Sequence, residues 1–137
     1  MVRKLLVLLA TLAATLGLMV PTATTSSALG GEWLACGMTG GPNYYASPCV
    51  GGSSSGPVVI NFAVLYETGS STYSWAVPAV YVPNINEGCT SNSNYCQLIV
   101  GRGSKQILMS VTLTQGQATE TLSTNAYVEP YCGDTWC

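Results

Sequence analysis

The chain lacks histidine altogether, and among its 137 residues it carries only four basic and six acidic side chains. Without an imidazole, neither a Ser-His-Asp nor a Cys-His arrangement can move a nucleophile's proton. Zinc loses its commonest nitrogen ligand for the same reason. Two of the four cations, Arg3 and Lys4, stand at the very start, leaving Arg102 and Lys105 for the rest of the chain. Against them stand Glu32, Glu67, Glu87, Glu120, Glu129 and Asp134. So little positive charge excludes nucleic acid and anionic membrane surfaces as natural partners. The acids do not alternate as a calcium loop requires, and no spacing pairs two of them as glycoside hydrolysis would need. Gly101-Arg-Gly-Ser-Lys105 has glycines and cations but not the spacing of a phosphate-binding loop, so it reads as a turn. No cofactor and no metal is expected. Solubility has to come from Ser, Thr, Asn, Gln and Gly.

Long apolar runs are also missing, with one exception. Leu5 to Val20 carries no charge, follows Arg3-Lys4, and leads into the small polar segment Pro21 to Ala28. This is the layout of a secretory signal peptide, with cleavage after Ala28. The run is shorter than the ~20 residues a spanning helix needs. Leu34-Ala35-Cys36 has a superficial likeness to a lipoprotein box, but Glu32 and Trp33 intrude and Cys36 lies far beyond the apolar run. The expected organisation is a signal peptide over residues 1–28 and one domain over 29–137, secreted to the extracellular space or periplasm, with no membrane insertion after cleavage.

Cysteine is plentiful. Cys36, Cys49, Cys89, Cys96, Cys132 and Cys137 all follow the signal segment, and an even count in a short exported chain predicts three disulfides. Cys89–Cys96 closes a short polar loop and is the preferred pair. Two schemes remain for the others: the local pairs Cys36–Cys49 and Cys132–Cys137, which are favoured, or bridges tying a short first strand, Glu32 to Cys36, to the C-terminal tail. In either case the bridges are expected at the periphery, in loops, tail and strand ends.

The rest reads as strands separated by turn signals. Pro57 to Tyr66 is rich in β-branched and aromatic residues, with Val58, Ile60, Phe62, Val64 and Tyr66 on one face. Glu67 to Ser71 is a turn, and Thr72 to Val77 alternates with Tyr73, Trp75 and Val77 on one face, completing a predicted hairpin. Trp75 is expected to centre the core, and removal of a fully buried ring there would cost ~3–5 kcal/mol. Val80-Tyr81-Val82 is a short apolar piece, Asn84 to Tyr95 a polar loop, and Cys96 to Val100 a strand. Gln106 to Thr114 points Ile107, Met109, Val111 and Leu113 inward, and Ala118 to Glu129 follows after the tight turn at Gln115-Gly116. The expected core is Trp75, Tyr73, Phe62, Ile60, Met109 and Val111. Between Gly37 and Gly56 lies a long irregular segment that Cys49 is placed to tie down. About seven short strands without an amphipathic helix predict an antiparallel β-sandwich.

The Tyr-x-Trp-x-Val strand after an apolar strand and turn, followed by a final hairpin, resembles bacterial immunoglobulin-like domains, including the polycystic-kidney-disease type. The resemblance covers most of Pro57 to Val128. It implies an immunoglobulin-like sandwich and no particular function. It departs from antibody domains in that no cysteine lies in Pro57–Tyr66 or Gln106–Thr114.

Binding is the remaining chemistry. Tyr44, Tyr45, Tyr95, Tyr131 and Trp136 lie outside strand interiors and form a candidate surface for an extracellular protein or glycan. The Cys89–Cys96 loop is a second candidate, as an inhibitor loop. The leading expectation is a secreted, non-enzymatic immunoglobulin-like domain for extracellular interaction or surface structure. An enzyme inhibitor and a carbohydrate-binding module using Tyr44, Tyr45 or Trp136 are the alternatives.

Overall fold

The computed structural model describes residues 29–132. The expected signal peptide, Trp136 and Cys137 lie outside that range. The described chain forms eight strands: β1 Trp33–Met38, β2 Cys49–Gly51, β3 Val58–Leu65, β4 Thr72–Ala76, β5 Ile85–Gly88, β6 Tyr95–Val100, β7 Lys105–Gln115 and β8 Ala118–Val128. A 3-10 helix, Ala79–Asn84, precedes β5. The strands make two four-stranded sheets, ordered β1-β3-β6-β5 and β2-β8-β7-β4. All pairings are antiparallel except β2 with β8.

Alternation along β3 sets the first sheet. Val58, Ile60, Phe62 and Val64 point inward and are almost fully shielded, and Phe62 is flanked in register by Cys36 and Cys96. In the second sheet the inward residues are Ile107, Met109, Val111 and Leu113 of β7 with Ala126 and Val128 of β8. The two sets merge into one core cluster. Each fully buried aliphatic or Phe side chain of this kind contributes about 1.5–3 kcal/mol. The expected core residues Phe62, Ile60, Met109, Val111 and Tyr73 are all buried.

Trp75 is the exception. It packs against the cluster only partly buried, because β4 is the edge strand of its sheet and the ring lies at the rim of the core. Phe62 is the largest fully buried side chain. The predicted β3–β4 hairpin is also replaced. β4 pairs with β7, placing Trp75 opposite Val111, while β3 belongs to the other sheet. Alternation fixes which face of a strand is buried but not which strand lies beside it. The turn Glu67–Ser71 is long enough to arch between sheets. Tyr66, expected inward, starts that arch in the left-handed region at φ 61° and is exposed.

One bridge, Cys36–Cys49, is not peripheral. Cys36, Cys49 and Cys96 belong to the core cluster, and Cys36–Cys49 joins β1 in one sheet to β2 in the other. Cys89–Cys96 is also present, joining the residue after β5 to β6. Cys132 is disulfide-bonded too. Such cystine pairs are consistent with an oxidising compartment.

Two polar stretches proved to be structured. The segment read as irregular between Gly37 and Gly56 contains β2, and the loop from Asn84 contains β5, the other edge of the first sheet. Val80 and Val82 sit on the 3-10 helix and are exposed.

Solvation of an almost chargeless protein is visible on the outer face of the second sheet. Thr72, Thr114 and Thr119 lie in one rung, and Ser74, Thr112 and Thr121 in the next. Thr112 and Thr121 share a hydroxyl hydrogen bond of 2.9 Å, as do Ser110 and Ser123.

Candidate functional site

Beside β1 the chain folds back over the outer face of the first sheet. It is fixed there by backbone bonds in both directions between Cys36 and Ala46, at 2.8 and 2.9 Å. Thr39 N donates to the Val59 carbonyl at 3.0 Å, Gly41 N to Met38 at 3.1 Å, and Gly52 N to Thr39 at 2.9 Å. The Cys36–Cys49 bridge spans 13 positions and closes the segment. The result is a loop held at both ends and in the middle, carrying Tyr44 and Tyr45.

Between this loop and the sheet lies an open cleft of about 270 Å³, lined by Gly37, Met38, Thr39, Pro42, Asn43, Tyr44, Tyr45, Val59 and Asn61. Gly37 and Asn61 face each other in register on β1 and β3. The Tyr45 ring lies over Gly37, 3.8 Å from where a Cβ would stand, so the missing side chain leaves the floor open. Tyr44 is 68 % exposed and forms the outer wall. Polar groups are ordered from behind. Gln97 Nε2 donates to Asn61 Oδ1 at 2.6 Å, and Asn86 Nδ2 donates to Gln97 Oε1. This amide chain crosses three strands and fixes the Asn61 amide at the cleft lining through its oxygen. The Thr39 hydroxyl accepts from Val59 N at 3.2 Å. Among the described residues no charged side chain lines the cleft.

The other candidate residues separate. The Tyr95 ring packs over Gly88, whose φ of 70° and close approach to the Tyr95 carbonyl leave no room for a side chain. Tyr131 lines a second shallow hollow with Ser53, Ser54, Arg102, Gly103 and Pro130. There Arg102 donates to the Ser54 carbonyl at 2.7 Å, while the Lys105 ammonium is engaged by the carbonyls of Gly101, Arg102 and Gly103. Among the described candidate aromatics, Tyr44 and Tyr45 thus share a cavity.

The Cys89–Cys96 loop is anchored to both sheets. Its Ser91 carbonyl accepts from Tyr73 N at 3.0 Å and its Asn94 carbonyl from Val64 N at 2.8 Å. Its Ser93 carbonyl accepts from Trp75 Nε1 at 2.9 Å. The Trp75 indole, displaced from the core centre, therefore docks this loop.

Among the described residues no three of His, Cys, Asp and Glu gather as a metal site. The acids serve local structure where their partners are defined. Glu32 accepts from the N–H groups of Gly30 and Gly31 at 2.7 and 2.9 Å, which hold its carboxyl below the usual range. The Tyr73 hydroxyl donates to the Glu67 carboxylate at 2.5 and 2.6 Å. Burial, and then that carboxylate, push the Tyr73 phenol well above its ordinary value.

No protein-family model, no curated protein and no solved structure matches this chain.

Tyr44 and Tyr45 were legible as candidates because they are aromatic residues in a glycine-rich loop. Gly37, Thr39, Asn43, Val59 and Asn61 were not singled out. The signal for Asn61 was present, since it is the lone amide in the apolar run of β3 and its position points outward.

Proposed function

We propose that the chain is an exported, non-enzymatic, immunoglobulin-like β-sandwich that acts outside the cytoplasm by binding, through the cleft beside β1. The strand order supports the architecture. β1-β3-β6-β5 facing β8-β7-β4 follows the order of an immunoglobulin constant-type sandwich, with β2 as an extra strand alongside the last one. Trp75 falls on the third strand of that scheme, and Cys36–Cys49 replaces the central bridge of antibody domains. The signal segment at 1–28 and the disulfides support export.

The observation that carries the binding role is the cleft itself: two exposed tyrosines on a loop that is already fixed in place. A fixed loop has little left to order when a ligand arrives, so contact energy is not spent on immobilising it. The test is to express the full chain in a secreting host and confirm an N-terminus at Leu29. The secreted protein is then measured against immobilised extracellular polysaccharides and purified extracellular proteins. Saturable binding without conversion of the ligand is expected. Chemical turnover, or no binding to either class, refutes the proposal.

The rigid Thr90–Tyr95 segment gives some support to an inhibitor reading. A panel of extracellular proteases decides it, and no inhibition at micromolar protein removes it.

A further inference from the structure

Resting on the binding role proposed above, we infer that the cleft between β1, β3 and the Tyr44–Tyr45 loop takes a unit of a neutral sugar chain. The lining fixes the ligand chemistry. Tyr rings offer flat apolar faces with a polar tip, suited to the C–H faces of a sugar ring. Asn43 and Asn61 offer uncharged hydrogen-bonding groups around them, with the Asn61 amide oriented by Gln97. An anionic sugar or a phosphate would find no cation there, since among the described residues no charged one lines the site.

Size and access agree with a short stretch of a longer polymer. A volume of about 270 Å³ falls just below the ~300–1,000 Å³ usual for whole ligand sites, which suits one unit of a chain, and the cleft opens at the surface so that the chain can continue past it. An extended peptide is the less suitable occupant. The free edge of β1, where a peptide strand would add, is already paired to Ala46 through both of its Cys36 hydrogen bonds.

Gly37 supplies a means of closing the site without touching the core. A methyl group at Gly37 meets only the Tyr45 ring and the Tyr44 carbonyl at ordinary contact distances, whereas a leucine side chain would project into the cleft. The experiment uses the secreted chain on an array of neutral oligosaccharides (gluco-, manno-, xylo- and N-acetylglucosamine oligomers) and polygalacturonate. Affinities are then taken by calorimetry. Binding to at least one neutral oligomer is expected, with polygalacturonate bound no better. Tyr44→Ala should weaken it about tenfold, the scale of one lost stacking contact. Gly37→Leu should abolish it and Gly37→Ala retain it. Because Tyr44 is exposed, Tyr44→Ala should unfold at the wild-type denaturant midpoint, so the inference is testable even if Gly37→Leu fails to fold. Neutral-sugar binding that Tyr44→Ala leaves intact overturns the inference. Preferential binding of the acidic polymer overturns it as well. A protein ligand lost in Tyr44→Ala, with no sugar bound, overturns the sugar assignment but leaves the binding role standing. No ligand of any class overturns both.

Discussion

Breaking Cys36–Cys49 should cost more stability than breaking Cys89–Cys96, although both close short loops. In the chain-entropy treatment, a bridge spanning 13 positions restricts the unfolded chain by about 3 kcal/mol, and one spanning 7 by about 2.5 kcal/mol. Entropy alone therefore separates them by only ~0.5 kcal/mol. Burial makes the difference. Cys36 and Cys49 are both in the core and connect the two sheets, so the double change Cys36→Ala/Cys49→Ala also removes two sulfur atoms from a packed interior. At about 1 kcal/mol for each heavy atom deleted, that adds ~2 kcal/mol, for a total near 5 kcal/mol. In Cys89→Ala/Cys96→Ala only Cys96 is fully buried, and the loop keeps its bonds from Tyr73, Trp75 and Val64. With one buried sulfur lost beside the entropy, the total should be ~3.5 kcal/mol. A small domain has about 5–15 kcal/mol in all, so the first variant should be marginal and the second folded. Urea unfolding followed by tryptophan fluorescence, with slopes compared, measures both. Equal losses, or a more stable first variant, would refute the assignment of Cys36–Cys49 to the core.

Phe62→Ala should cost ~3–5 kcal/mol, and Trp75→Ala clearly less, by the same unfolding measurement, because only the first ring is fully buried. Trp75→Phe keeps most of the packing and removes the indole bond to Ser93, so it should cost ~0.5–1.5 kcal/mol and speed amide exchange in residues 90–94. The raised Tyr73 phenol contributes stability that is complete below its unfolded value of 10.0 and is lost as pH rises above it. Wild type should therefore lose stability on alkaline titration more steeply than Tyr73→Phe, as read from thermal midpoints between pH 9 and 11, roughly one unit either side of that value. Gly88→Ala forces a Cβ against the Tyr95 carbonyl at a left-handed backbone position and should cost ~1–3 kcal/mol in a denaturant midpoint.

Strand positions and their buried faces were readable in the sequence because alternation is a local property. β3, β7 and β8 appear where Val58, Ile107 and Leu122 placed them. Partner choice was not readable in the same way. Thr72–Ala76 could satisfy its apolar face on either sheet, and the five-residue turn before it permitted both. Trp75 misled because size suggests centrality, whereas its N–H needs an acceptor, and a rim position beside Ser93 provides one. The pairing of Cys36 with Cys49 was anticipated, but not its depth, since that depends on β2 joining the second sheet through only three residues. The cleft was half legible for a related reason. Tyr44 and Tyr45 are conspicuous in a loop, while Gly37 and Asn61 acquire meaning only when register sets them opposite each other.

The parallel pairing of β2 with β8 has a mechanical consequence. Cys49 is the first residue of β2 and Val128 the last of β8, and the two strands run side by side in the same direction. A pull between the two ends of the domain passes from Cys36 through the sulfur bridge into Cys49 and leaves at Val128. It therefore drags these neighbours in opposite directions along their length. Their ladder bonds, with that from Glu129 N to the Gly51 carbonyl at 2.9 Å, carry the load together in shear rather than opening one after another. The covalent link keeps the slack of residues 37–48 from paying out first. Tension applied along that path is therefore resisted by several hydrogen bonds at once rather than by one at a time.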